Sequence, residues 1–121
     1  MIQFHHVQIT VPEESLEEAK GFYCEVMGFQ NLERPQSLHQ LAGLWLAVGN
    51  LQLHVRAKPC LDRNLISDHV AYQVEDLEYW RNKISATGLE IKESIPIPGM
   101  DRFEFRDPFG NRIEILSLND V

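Results

Sequence analysis

The sequence predicts an α+β fold made of two copies of one module, in which a strand is followed by a helix and three further strands. The first observation is an internal repeat, because His6–Val11 (HVQITV) matches residues 69–74 (HVAYQV) at an offset of 63 residues. The second is a set of short runs in which apolar and polar residues alternate, as they do in half-buried strands. The third is an apolar stripe of helical spacing after the first strand of each half. A short repeat of this kind indicates two copies of one supersecondary unit.

The first module is predicted to cover residues 1–57. Its opening strand is expected at 3–11, where every second residue is apolar. Ser15 begins a capping-box pattern, which predicts a helix that runs to Met27 and ends at Gly28. Three further strands are predicted at 29–33, 41–48 and 51–56, the last two joined by a Gly49-Asn50 hairpin turn.

The second module is predicted to cover residues 68–121 and to repeat this order. A strand at 68–74 leads to Asp76, the expected N-cap of a helix that ends at Gly88. Three further strands are predicted at 89–94, 102–106 and 112–116. Residues 58–67 show no periodicity and are expected to be a linker, so that residues 1–121 form a single domain of two modules.

The composition is that of a small globular domain and argues against several classes of partner. The 121 residues carry a net charge of −7 and contain no basic run, so nucleic acid is an unsuitable partner. No apolar run approaches the ~20 residues that a membrane span requires, so no membrane partner is expected. Cys24 and Cys60 show no disulfide spacing pattern, which favours free thiols and a cytoplasmic location.

The segment 107–116 is the part of the chain around which the candidate chemistry is organised. Residues 107–111 (DPFGN) have the composition of a tight turn, and a strand with Ile113 and Ile115 on one face follows. Glu114 therefore points to the opposite face, where a carboxylate must be solvated, paired or bound to a metal ion.

Four residues of metal-ligand type occupy equivalent places in the two modules. His6 and His69 lie on the two first strands, and His54 and Glu114 lie on the two last strands, all opposite the apolar register. If the two halves face each other, these side chains converge on a site of three imidazoles and one carboxylate. Such a set suits Zn, Ni, Co, Mn or Fe(II), and the alternative is a polar sheet face without a metal ion.

Other side chains on the same face are candidates for orienting the ligands or contacting a substrate, although solvation explains each of them singly. They are Gln8, Gln52, Arg56, Gln73 and Arg112. Trp45, Phe103 and Phe105 are candidates for lining a pocket, but core packing is favoured for all three.

These motifs resemble those of the vicinal oxygen chelate superfamily, the group of glyoxalase I, fosfomycin resistance proteins, methylmalonyl-CoA epimerase, extradiol dioxygenases and bleomycin resistance proteins. The resemblance rests on the His-Val opening of each module, on residues 21–29 (GFYCEVMGF) and on residues 107–114 (DPFGNRIE), and it extends over essentially the whole chain. It implies paired βαβββ modules whose curled mixed sheets form a cleft, in a chain that pairs as a homodimer. It also implies that the metal ligands are His6, His54, His69 and Glu114.

The resemblance further implies an enzyme that chelates a small substrate through neighbouring oxygens and stabilises an enolate or oxyanion, as a lyase, isomerase or transferase. Glu114 is then the expected catalytic residue. Two departures stand out: His54 replaces the glutamate or glutamine of glyoxalase I, and Gln8 stands where fosfomycin resistance proteins have a threonine. The alternative is a non-catalytic protein of the bleomycin-resistance type that binds or sequesters a small molecule.

Overall fold

The computed structural model describes residues 1, 3–59 and 68–119. The chain forms two compact units, Met1–Leu61 and Asp62–Val121, and each unit carries one four-stranded sheet. The predicted α+β class with two βαβββ modules is confirmed. Most of the predicted linker at 58–67, including Cys60, lies outside the described residues.

The first unit contains a mixed sheet with the strand order β1-β4-β3-β2. Its strands are β1 (His6–Val11), β2 (Gln30–Leu32), β3 (Gly43–Val48) and β4 (Leu51–Ala57). The first and last strands pair in parallel, and the other pairings are antiparallel. Because β1 and β4 run in the same direction, the residues between them must return the chain to the end of the sheet at which β1 begins.

The helical segment between β1 and β2 is continuous but is not the single regular helix that the sequence predicts. It consists of a 3-10 turn (Glu13–Ser15), the α-helix α1 (Leu16–Lys20) and a π-helical stretch (Gly21–Val26). The Ser15 side chain makes no capping hydrogen bond, so the predicted capping box is wrong. Within this π-helical stretch, the consecutive residues Phe22 and Tyr23 are both buried, at 6% and 1% exposure.

The second unit repeats this topology with the strand order β5-β8-β7-β6. Its elements are β5 (His69–Gln73), α2 (Leu77–Ala86), β6 (Lys92–Glu93), β7 (Met100–Arg106) and β8 (Arg112–Leu118). The Asp76 carboxylate accepts a hydrogen bond from the backbone N–H of Tyr79 at 3.1 Å, which confirms the predicted N-cap. Gly88 follows α2 with a φ of +90°, a left-handed conformation that favours glycine at a helix end.

The buried apolar residues come from one face of each sheet and from the helical segment beside it. In the first unit they include Ile9, Val11, Ala19, Phe22, Tyr23, Leu46, Leu53 and Val55, and in the second Leu77, Ile84, Phe103, Phe105, Ile113 and Ile115. Core packing of Phe103 and Phe105 is thereby confirmed. In the described part of the chain, no helix has the length and apolar character needed to cross a membrane.

Candidate metal centre

In the first unit, the two predicted histidine ligands are in direct contact. His6 lies on β1 and His54 on the adjacent strand β4, and their rings stack with centroids 4.0 Å apart and planes 13° apart. Trp45 is the partner of His54 on β3, and its ring stacks on His54 at 4.4 Å and 6°. Because β4 lies between β1 and β3, the His54 ring is held between an imidazole and an indole. Trp45 therefore lies on the ligand face, the face of the sheet that carries the predicted metal ligands. The prediction that Trp45 packs in the core is wrong.

The environment of His54 keeps its imidazole neutral. The residue is 7% exposed, and burial lowers the pKa of His54 to about 4, with further lowering by the nearby charges of His6, His5 and Arg34. Its Nε2 atom lies 2.8 Å from Oε1 of Gln52, a hydrogen bond that orients the ring. A neutral imidazole is the form that binds metal ions, so His54 has the protonation state of a ligand.

His5 contacts His6, although it is not among the predicted ligands. Its Nδ1 atom lies 3.0 Å from Nδ1 of His6, and the two rings meet edge to face. Strand alternation assigns His5 to the opposite face, but β1 begins only at His6, so alternation does not apply to its neighbour.

In the second unit, the other two predicted ligands also form a pair. Glu114 on β8 is 7% exposed, and its Oε1 atom lies 3.6 Å from Nε2 of His69 on the adjacent strand β5. The same Oε1 atom accepts a hydrogen bond from Nη1 of Arg102 at 2.9 Å. Arg102 is held in turn by a hydrogen bond from its Nη2 atom to the carbonyl oxygen of Ile95 at 2.7 Å.

The turn before β8 fixes the start of the strand that carries Glu114. Asp107 is 4% exposed, and its Oδ1 atom accepts hydrogen bonds from the backbone N–H groups of Phe109 and Asn111 at 2.9 and 2.8 Å. Its Oδ2 atom accepts from Nδ2 of Asn111 at 2.9 Å. Gly110 adopts a φ of +92°, which is why this position of the DPFGN turn favours glycine. The tight turn predicted here is confirmed.

The ligand face of the second sheet is strongly charged, and the register between its strands places the charged residues in rows. One row across the strands contains Arg106, Arg112 and His69. The next row contains Lys92, Glu104, Glu114 and Ala71. The two carboxylates of that row lie directly opposite each other, which would be destabilising without compensation. Each is compensated by an arginine, Glu114 by Arg102 and Glu104 by Arg112.

The structure thus brings the predicted ligands together two by two within the units, His6 with His54 and His69 with Glu114. Five other residues are predicted on the same face. Gln52 forms a hydrogen bond with His54, and Gln8 is the partner of His54 on β1. Arg112 pairs with Glu104, while Arg56 and Gln73 lie further along β4 and β5. Within residues 3–59 and 68–119, no three His, Cys, Asp or Glu side chains form a cluster that could hold a metal ion. Arg102 is the contact that sequence reasoning missed, although its alternation with Phe103 assigns it to the face of Glu114.

The chain matches a known family over almost its whole length. The profile of the Glyoxalase/Bleomycin resistance protein/Dioxygenase superfamily covers residues 3–115. The chain belongs to this superfamily. The resemblance found in the sequence motifs is therefore confirmed across both units.

Three individual proteins illustrate the similarity. Glyoxylase I 4 of Arabidopsis thaliana is 25% identical over 131 residues, which cover 100% of this chain and 74% of the plant protein. A protein of Bacillus anthracis assigned to the glyoxalase family is 28% identical, with a TM-score of 0.89 and coverage of 98% of this chain and 97% of its own. The fosfomycin resistance protein FosX of Listeria monocytogenes, crystallised with Mn(II) and sulfate, has a TM-score of 0.80 and covers 98% and 93% of the two chains. Its identity of 17% shows a shared fold alone.

Proposed function

We propose that this chain is a metal-dependent, glyoxalase-like enzyme that acts on a small oxygen-bearing metabolite as a lyase, isomerase or transferase. The proposed ligands of the divalent ion, which is Zn, Ni, Co, Mn or Fe(II), are His6, His54, His69 and Glu114. The enzyme is proposed to work as a homodimer, in keeping with the small size of its single pair of modules.

The observation that carries this proposal is the repetition of a donor pair in the two units. In each unit, a ligand-type residue on the first strand touches a ligand-type residue on the last strand, across the parallel pairing of the sheet. The contacts are the 4.0 Å ring stack of His6 on His54 and the 3.6 Å approach of His69 to Glu114. Surface side chains that served only solubility would have no reason to recur in this arrangement.

The donor chemistry fits a borderline divalent ion. Three imidazoles and a carboxylate form a mixed nitrogen and oxygen set, and the neutral state of His54 leaves a ring nitrogen able to bind. A divalent ion held there would supply Lewis-acid stabilisation of the negative charge that develops on a substrate oxygen.

Glu114 is the proposed general base. Its burial removes the carboxylate from bulk water, and Arg102 fixes Oε1, so Oε2 is the oxygen that takes a proton from the substrate and returns it to the product. Arg102 is a positioning residue in this scheme, because it holds the carboxylate without itself touching the reacting atoms.

The test is the metal content of the full chain, purified without added metal and without a metal-binding tag, by elemental analysis. We expect about one ion per chain in the wild type and a loss of it in His69→Ala and Glu114→Gln. His39→Ala is the matched control, because His39 is an exposed histidine whose side chain bonds the backbone oxygen of Arg34, a contact outside the proposed ligand set. Unchanged metal content in the two site variants would refute the proposed ligands.

A binding protein of the bleomycin-resistance type is the second candidate, and one observation favours it. The charge of Glu114 is already compensated by Arg102 at 2.9 Å, so this carboxylate is stable without a metal ion. Under this alternative, the protein takes up no ion and binds a small molecule without converting it. A substrate screen with the metal restored, scored for both binding and turnover, separates the two functions.

A further inference from the structure

The first unit holds an imidazole whose two ring nitrogens have different surroundings. Nε2 of His54 lies 2.8 Å from Oε1 of Gln52, which stands two residues earlier on the same face of β4. An amide oxygen only accepts hydrogen bonds, so Nε2 is the donor and carries the proton. A neutral imidazole has a single N–H group, so Nδ1 of His54 keeps its lone pair.

The Nδ1 atom of His54 has no such partner. Within residues 3–59 and 68–119, the hydrogen bond of the His54 side chain is the one made by Nε2. The buried side-chain atoms that lack a hydrogen-bond partner there are Nε of Arg34, Arg56 and Arg102 and Oγ of Ser94. Nδ1 of His54 is not among them, so the described part of the chain leaves this lone pair accessible. The opposite tautomer would put the proton on Nδ1, where no described residue accepts it.

Two stacked rings fix the plane of the His54 ring but not the direction in which its nitrogens point. His6 stacks on it at 4.0 Å and Trp45 at 4.4 Å, with planes 13° and 6° from that of His54. A half-turn about the Cβ–Cγ bond keeps the ring in this plane and exchanges each nitrogen with a carbon. Both orientations therefore fit between the stacked rings, and the hydrogen bond to Gln52 selects one of them.

We propose that Gln52 is a positioning residue that fixes the tautomer of His54, so that Nδ1 is the ring nitrogen presented to the metal ion. Histidines that bind metal ions usually donate their other ring N–H to an acceptor, which sets both the tautomer and the orientation of the ring. Gln52 supplies that acceptor from the same strand. The role in metal binding rests on the proposed function, whereas the tautomer is a property of the metal-free protein.

The chemistry of the acceptor separates this role from simple packing. A carboxylate at position 52 would also accept the Nε2 proton, and its charge would raise the basicity of the imidazole and attract a cation. Leucine has a similar size and accepts no hydrogen bond. Gln52→Glu should therefore preserve the tautomer and bind the ion at least as tightly as the wild type, whereas Gln52→Leu should lose both properties.

The test is nitrogen-15 NMR of the histidine side chains in the full chain at pH 8, first with metal removed by EDTA and then, after removal of the EDTA, with Zn(II) added. At this pH an imidazole of ordinary pKa is neutral. His54→Gln assigns the His54 signals among those of the five histidines. We expect the metal-free wild type to carry the proton on Nε2 of His54. Added Zn(II) should shift the Nδ1 signal while Nε2 keeps its proton.

Variants show whether Gln52 sets this tautomer. In Gln52→Leu the second tautomer should become populated, so the two nitrogen shifts of His54 should move towards each other, and Zn(II) binding should weaken by about 10–100-fold. Gln52→Glu should restore the wild-type pattern. Gln8→Leu is the matched control, because Gln8 is the β1 partner of His54 and no hydrogen bond of the described residues joins their side chains. Its tautomer should match that of the wild type.

A proton on Nδ1 in the wild type, a Gln52→Leu spectrum identical to that of the wild type, or Zn(II) bound at Nε2 would each overturn the inference. If Gln52→Leu fails to fold, the wild-type spectrum and Gln52→Glu still decide the matter. A chain that takes up no Zn(II), but shows the expected tautomer and its loss in Gln52→Leu, would refute the proposed function and support the positioning of His54 by Gln52.

Discussion

Replacement of Asp107 by alanine tests how much the turn before β8 contributes to stability. The carboxylate accepts hydrogen bonds from the backbone N–H groups of Phe109 and Asn111 and from the side-chain amide of Asn111. Alanine would leave all three donors without this acceptor, and two of them lie in a buried part of the turn. Each buried donor left unsatisfied costs about 1–3 kcal/mol.

We therefore expect Asp107→Ala to lower the free energy of unfolding by about 3–5 kcal/mol, since the Phe109 amide is partly accessible to water. This is a large part of the ~5–15 kcal/mol that stabilises a typical domain. Asp107→Asn keeps an oxygen for the two backbone donors and removes the oxygen that accepts from the Asn111 side chain. Its cost should be about 1–2 kcal/mol.

The assay is urea unfolding followed by circular dichroism, with comparison of midpoints at equal slope. Asp101→Ala is the matched control, because Asp101 is an exposed residue of β7, and its effect should stay within about 0.5 kcal/mol. The reasoning is refuted if Asp107→Ala is as stable as this control, or if Asp107→Asn costs as much as alanine.

Three further predictions concern other positions. Burial, and secondarily the charge of Asp107, raises the pKa of Tyr72, so as the pH rises the unfolded chain loses this phenolic proton before the folded chain does. The free energy of unfolding should therefore fall as the pH rises above ~10, and it should fall less in Tyr72→Phe. Urea midpoints measured between pH 8 and 11 test this. A Cβ at Gly43 would lie 2.5 Å from the backbone oxygen of Val55, so Gly43→Ala should lower the thermal midpoint, whereas Gly21→Ala, with open space around it, should not. Ile84 is 0% exposed, so Ile84→Ala should cost about 2–5 kcal/mol in chemical denaturation.

The sequence predicts the order and type of the main elements because apolar alternation and helix-stop glycines are local signals. Strand ends are less well predicted, since the pairing partner decides where a strand stops: the predicted strand at 89–94 shortens to Lys92–Glu93. The helix before Gly28 departs from the prediction because it widens to a π-helical stretch, in which the adjacent aromatic residues Phe22 and Tyr23 are both buried. A period of 3.6 residues does not indicate such a local widening of the helix.

For the candidate site, apolar alternation alone predicts which face of its strand a residue occupies, but not which side chains it contacts. Alternation correctly assigns His54 and Glu114 to the polar face of their strands. It does not indicate that Trp45 stacks on His54, or that Arg102 reaches Glu114, because both contacts depend on the register between strands. Register is set by turn lengths and core packing across the whole sheet, which no single stretch of sequence contains.

The parallel pairing of first and last strands has a consequence for the order in which the protein matures. The donors of each pair lie at opposite ends of their unit, 48 residues apart for His6 and His54 and 45 apart for His69 and Glu114. Contacts between such distant residues form late in folding, because the chain must first close the loop between them. A partly synthesised or partly folded module therefore presents these side chains singly, and each pair forms only when the fold of its unit is complete.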